Sequence, residues 1–308
     1  LSTVKPHRRR RCQLAVPGSA YDKIEKAAAL DIDHVFLDLE DSVAPSKKPE
    51  ARQNVIKAFN ELDWGETVRC FRINGLDSPH AYQDLVQVIE GAGHNIDTLV
   101  IPKVKAARDV HFVETLLEQL EMKIGRETPI GLELLIEEVE GVAFINEIAA
   151  ASPRVESLMF GIGDYTRAQG VDPRDAFGKP RYYPGDIWHH QRSAIAIAAR
   201  CVGADYVDGP WAMIPDLDGY RRECKLVKTL GGVGKWAIHP TQIAVAVEEF
   251  SPSKEEIQLS RHYLKMFEEA RTAGKGAIKT PEGGLLDEAA IPLLQQVLDQ
   301  AKFYGIDA

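Results

Sequence analysis

The chain predicts an α/β fold, a (β/α)8 TIM barrel with a C-terminal helical extension, and three observations carry that expectation. Eight short apolar runs alternate with longer amphipathic stretches, the order that builds a parallel sheet closed by right-handed crossovers. Most runs end on a charged or polar residue, namely Asp41, Arg72, Lys103, Glu137, Asp164, Asp208 and His239, and only the rim of a barrel brings such distant strand ends together. The length of 308 residues exceeds the roughly 250 of a typical barrel and leaves a remainder for an appendage.

The runs rich in Val, Ile, Leu and Phe lie around Leu14, then at His34 to Leu39, Val68 to Ile73 and Leu99 to Val104. The second half repeats them at Ile130 to Ile136, Ser157 to Ile162, Ala204 to Val207 and Lys235 to Ile238. Helical periodicity fills the intervals, as at Ala51 to Leu62, Pro79 to Glu90, Val110 to Leu120 and Trp188 to Val202. An open doubly wound sheet is the alternative, but the first run is followed by Pro17-Gly18-Ser19 and not by the glycine fingerprint of a dinucleotide site. From Ser251 the pattern changes to a helix over Ser253 to Arg271, a connector with Gly274, Gly276, Gly283 and Gly284, and a last helix from about Asp287. The expected division is a barrel over 1–250 and a helical appendage over 251–308, suited to docking on a neighbouring subunit or on its own barrel.

An apolar fraction of 44% and a charged fraction of 27% describe a chain able to bury a core. The net charge of -9 argues against nucleic acid. No apolar stretch approaches the roughly 18 residues of a membrane span. The basic stretch His7 to Arg11 is followed by an apolar run that ends at Pro17-Gly18, too short for an export signal. Cys12, Cys70, Cys201 and Cys224 form no C-x-x-C pair, so the expectation is a reducing cytoplasm without a disulfide framework or a zinc site.

Along Pro129 to Glu137 alternation puts Glu133 and Glu137 on one face. Four strand residues span roughly 13 Å, against roughly 4 Å between two oxygens on one Mg2+, so Glu137 at the rim is the metal candidate and Glu133 lies deeper, in an ion pair. Asp164, in Phe160-Gly-Ile-Gly-Asp, closes the adjacent run; it is a second ligand or a helix cap. Arg72 points into the lumen, where it is neutralised by an acid such as Glu40 or forks onto a substrate carboxylate. Asp38, Glu40 and Asp41 crowd one strand end and need cations nearby. Lys103 raises Schiff-base chemistry, which the metal acids disfavour. His239 before Pro240 reads as a general base or, more readily, as structural.

The strings Leu14-Ala-Val-Pro-Gly-Ser, Phe36-Leu-Asp-Leu-Glu-Asp-Ser-Val-Ala-Pro, Arg72-Ile-Asn-Gly, Ile101-Pro-Lys-Val, Phe160-Gly-Ile-Gly-Asp-Tyr and Gly234-Lys-Trp-Ala-Ile-His-Pro-Thr-Gln-Ile together resemble the citrate lyase β-subunit-like CoA-ester lyases of the HpcH/HpaI aldolase group. The likeness runs in order from about Arg11 to the final helix and is strongest toward the malyl-CoA lyases. It implies Mg2+ (or Mn2+) on Glu137 and Asp164, with Glu40 and Asp41 behind them through water, and Arg72 on the substrate carboxylate. It further implies Asp287, in Leu285-Leu-Asp-Glu, as an acid/base delivered to an adjacent subunit of a homotrimer or hexamer; from the residues alone Asp287 reads as a helix cap. Arg11, Lys103, Ile238 and Pro240 would line CoA. The implied reaction is reversible cleavage of a 3-hydroxyacyl-CoA such as malyl-CoA to acetyl-CoA and glyoxylate. The alternatives are citramalyl-CoA or β-methylmalyl-CoA cleavage, thioester hydrolysis, a carrier-dependent citrate lyase subunit, or a CoA-ester-binding protein without catalysis. The loop from Thr166 to Asp186 is shorter than expected for malyl-CoA lyases, which leaves substrate choice open.

Overall fold

The computed structural model describes residues 5–172 and 185–306. Eight parallel strands close on themselves in sequence order: β1 (Cys12–Pro17), β2 (His34–Asp38), β3 (Val68–Arg72), β4 (Thr98–Ile101), β5 (Gly131–Ile136), β6 (Val155–Phe160), β7 (Asp205–Asp208) and β8 (Gly234–Ala237). Closure comes from β1 against β8, with Cys12 opposite Lys235 and Leu14 opposite Ala237. Helices such as Lys48–Glu61, Ala81–Ala92, Ala107–Ile124 and His189–Cys201 follow their strands. Strands covered on both faces explain the near-continuous apolar runs.

Alternation along the strands sorts the lumen into layers. Phe36, Cys70, Val100, Leu135, Met159, Val207 and Trp236 make a buried apolar plug at mid-height. Toward the strand N-termini the lumen is polar: Glu133 is buried and takes bonds from Arg10, Gln13 and His34 at 3.3, 3.0 and 3.0 Å. Burial alone would raise the Glu133 pKa, but His34 and Arg10 hold it well below the usual carboxylate range. The plug separates this floor from the mouth, where the strand C-termini open.

The chain divides into two compact units, residues 1–247 and 248–308, at a point inside the helix Ile243–Phe250. In the second unit Ser253 and Glu256 cap the helix Lys254–Thr272 reciprocally. The glycine-bearing stretch is an antiparallel hairpin, β9 (Ala277–Lys279) with β10 (Leu285–Asp287), where a flexible connector was expected. Asp287 ends that hairpin, and the last helix begins only at Ile291, so Asp287 is not its cap. No described helix is long and apolar enough to cross a membrane. The cysteines are all free, three buried and Cys201 exposed.

Candidate active site

Two strand ends form one side of the mouth. Asp38, the last residue of β2, accepts from Arg72 Nε at 2.7 Å and Nη2 at 2.8 Å, a two-point pair across the β2–β3 seam. The same carboxylate accepts the N–H groups of Glu40 and Ser42 and the Ser42 hydroxyl at 2.9, 3.0 and 2.5 Å. Burial would raise its pKa, yet Arg72 and these donors pull it to about 2. Arg72 therefore has its fork turned onto Asp38, and Nη1 alone remains, 3.1 Å from Glu40 Oε2. Behind this, buried Lys48 donates to the carbonyls of Leu39 and Glu40 at 2.9 and 3.0 Å and to the Asn74 side chain. Asn74 is tied in turn to Asp84. This clamp fixes the turn that carries Glu40 and Asp41. No motif announces Lys48, although the shared parity of Asn74 and Arg72 hints at its partner.

The other side comes from β4 to β6. Lys103 follows Ile101-Pro and adopts φ +52°, the left-handed region that side-chain-bearing residues seldom occupy. That backbone turns its N–H onto Glu137 Oε1 at 3.0 Å, while Nζ reaches Glu40 Oε1 at 2.8 Å, Asp41 at 3.3 Å and Asp164 Oδ2 at 4.0 Å. Glu137 is buried one residue past β5. The Gly161 N–H donates to the Ile136 carbonyl at 3.0 Å, and a Cβ at Gly161 would lie 2.5 Å from Glu137 Cβ and Oε2. Gly161 is thus the gap into which Glu137 fits. Asp164 stands in the first turn of the helix Ile162–Gln169, not on the strand end expected for it. There the N-terminal end of the helix favours its charge.

The mouth gathers Asp38, Glu40, Asp41, Glu137 and Asp164 against Arg72, Lys103 and the exposed Arg167, which reaches Asp164 at 3.4 Å, five carboxylates to three cations. Glu40 Oε2 is buried and lacks hydrogen-bond geometry even to the nearby Arg72. Burial raises the Glu137 pKa well above the carboxylate range and Glu40 and Asp164 raise it further, against Arg72 and Lys103. Glu40 is raised by burial too. Oxygen-only donors, excess negative charge and an unmatched buried oxygen fit a hard divalent cation such as Mg2+. A different trio, His34, Cys70 and Glu133, has its ligand atoms within 4.8 Å of one another. It does not fit a metal: burial pushes the Cys70 thiol well up, and Glu133 is already taken by Arg10, Gln13 and His34.

Several sequence candidates lie elsewhere. Asp208 faces the helical layer, because its neighbour Val207 belongs to the lumen plug; it pairs with Arg192 and Lys235 and accepts from Tyr206 at 2.8 Å. Arg11 precedes β1 at the floor, clasping Asp33 at 2.6 and 2.7 Å, so it is removed from the rim it was expected to line. Ile238 and Pro240 follow β8 on the mouth side, and Ile238 is partly exposed. His239 Nδ1 accepts from the Thr241 N–H and pairs with its hydroxyl, which caps a single 3-10 turn and matches the structural reading. Asp287 lies in the second unit, where its Oδ1 accepts the Ala289 N–H at 3.1 Å. Of the loop from Thr166 to Asp186, residues 173–184 lie outside the described residues.

Fold and mouth together define a (β/α)8 barrel whose acid-rich mouth has the donor set of a divalent-cation site. A family profile sharpens the class: residues 11–240 match HpcH/HpaI aldolase/citrate lyase, and the chain belongs to that family. It is 42% identical over 306 residues to an L-malyl-CoA/beta-methylmalyl-CoA lyase of Cereibacter sphaeroides, covering 96% of each chain. It is 32% identical to a (3S)-malyl-CoA thioesterase of the same species, covering 95% of this chain and 94% of the relative. Among solved structures it resembles protein CitE of Mycobacterium tuberculosis in complex with magnesium, acetoacetate and coenzyme A, with TM-score 0.74, 27% identity, and coverage of 98% of this chain and 100% of that one.

Proposed function

We propose that the protein is a carbon–carbon lyase that cleaves a 3-hydroxyacyl-CoA, malyl-CoA or β-methylmalyl-CoA, into an acyl-CoA and glyoxylate. The observation that carries this reading is the acid-rich mouth over an apolar plug, in a chain 42% identical to a lyase of that name along nearly its whole length. Glu137 and Asp164 would hold Mg2+, with Glu40 and Asp41 acting on it through water. When bound, the ion would supply Lewis-acid stabilisation to the oxygens of the 2-oxo acid.

The chain's own groups supply the rest. Arg72, oriented by Asp38, would present Nη1 to the substrate carboxylate, a directional positive charge. Asp287 would return a proton to the α-carbon of the acyl-CoA enolate on cleavage and remove one from it on condensation. Delivered to the mouth of a neighbouring subunit in a homotrimer or hexamer, that carboxylate would be desolvated there and water excluded from the reacting centre. Ile238 and Pro240 stand on the mouth side of β8, where they would border the CoA moiety.

Purified protein with Mg2+ should release glyoxylate from malyl-CoA, and Asp287→Asn should lower turnover by at least about a thousandfold while Mg2+ and CoA-ester binding persist. Release of free CoA and malate without glyoxylate would assign a thioesterase instead. Wild-type turnover in Asp287→Asn would remove the acid/base role.

A further inference from the structure

We infer that Lys103 is a built-in counter-cation of the mouth that limits the affinity for the divalent ion and keeps Glu40 and Asp41 from coordinating it directly. The inference rests on the metal reading above and goes beyond it, since the rim lysine was expected to line CoA or, less readily, to form a Schiff base. Three features of one residue carry it. The Nζ group sits on Glu40 Oε1 at 2.8 Å and beside Asp41 at 3.3 and 3.5 Å, the two acids assigned to act through water, and is farther from Asp164, at 4.0 Å. The backbone N–H of the same residue holds Glu137 Oε1 at 3.0 Å. The left-handed φ of +52° costs energy in a residue with a Cβ, and a conformation of this kind persists only when its surroundings impose it.

The division of labour follows from the charges. Glu40 carries Oε1 against the ammonium at 2.8 Å, while Oε2 lies 3.1 Å from Arg72 Nη1 without hydrogen-bond geometry. Asp41, which is exposed, is drawn toward the same ammonium. Set against two carboxylates, the Lys103 side chain is a fixed ammonium of the mouth. A fixed positive charge among the acids opposes entry of a dication. Lys103 Nζ grips Glu137 and Asp164 least; Asp164 is met instead by the exposed Arg167 at 3.4 Å, a contact that an ion can displace. A site of this construction binds the ion weakly enough to exchange it.

The test is Mn2+ titration by calorimetry on the full-length protein, with Lys103→Met, which keeps the stem and removes the charge, and Lys103→Arg, which keeps the charge. Wild type and Lys103→Arg should bind Mn2+ alike, and Lys103→Met should bind at least about tenfold more tightly, because one opposing charge is gone. Thermal melting gives a second reading that survives weak folding of the variant: Lys103→Met should melt lower than wild type in chelator and gain more on adding Mn2+. Unchanged or weaker Mn2+ binding in Lys103→Met overturns the inference, and with a matching loss of CoA-ester affinity it returns Lys103 to CoA. Tightening in Lys103→Arg as well as Lys103→Met overturns it too, since charge would then not be the cause. If wild type binds no Mn2+, the metal reading itself fails, an outcome distinct from the others.

Discussion

Asp38 shows how one buried carboxylate organises the mouth. It takes the Arg72 fork, the Glu40 N–H and the Ser42 turn together, so the guanidinium and the acid-bearing turn share one anchor. Its pKa of about 2 in the folded chain lies below the roughly 3.9 of an unfolded aspartate. The unfolded state thus binds its proton first as pH falls, and the stability Asp38 contributes is full above about pH 4 and is lost as pH drops toward 2. Denaturant titrations should lose about 1 kcal/mol from this group between pH 5 and 3, and Asp38→Asn, less stable at pH 7, should show a correspondingly shallower acid dependence. An identical slope in the variant would remove Asp38 as the source. At this scale Glu137, Asp164, Arg72 and the acid cluster are visible in the sequence, because a charge after an apolar run has few other places to go. The left-handed Lys103 and the Lys48 clamp are not, since neither backbone sign nor a long-range hydrogen bond leaves a mark on local periodicity.

Among the elements, the eight strands are legible because each is buried on both faces and reads as an apolar run. Boundaries are less so. The run through Ile162 reads as strand to its end, yet the chain leaves β6 at Phe160 and enters a helix at Ile162, with Gly161 alone as the turn. The reason is steric: the space above Gly161 belongs to Glu137. Gly161→Ala should therefore displace Glu137, backbone included because the new methyl meets its Cβ as well as its carboxylate, and weaken Mn2+ binding about tenfold or more with some loss of thermal stability. Native affinity in that variant would show that Glu137 is not confined as described. The hairpin of the second unit escapes the sequence reading because its strands, three residues each, are shorter than any period can reveal.

For the whole molecule, the barrel and its division from a C-terminal unit follow from length and alternation, whereas the working place proposed for Asp287 does not, because it would depend on a contact between chains. If the site is shared, Asp287→Asn chains keep an intact mouth and Glu137→Gln chains keep an intact acid/base group. Co-expressed, the two inactive variants should form mixed oligomers that regain a measurable part of wild-type turnover. Mixed oligomers as inactive as their parents would confine Asp287 to its own barrel or exclude it from the reaction. The layered lumen adds a further consequence at this scale: the apolar plug isolates the Glu133 floor network from the mouth, so floor charges fix the fold and mouth charges remain for chemistry.

The most direct test is the anomalous difference density of crystals grown with Mn2+. The account predicts one strong peak at the mouth within ligand distance of both Glu137 and Asp164, roughly 2.2 Å, with Glu40 and Asp41 set back behind water. A peak at His34, Cys70 and Glu133, or one that Glu137 does not touch, would contradict it.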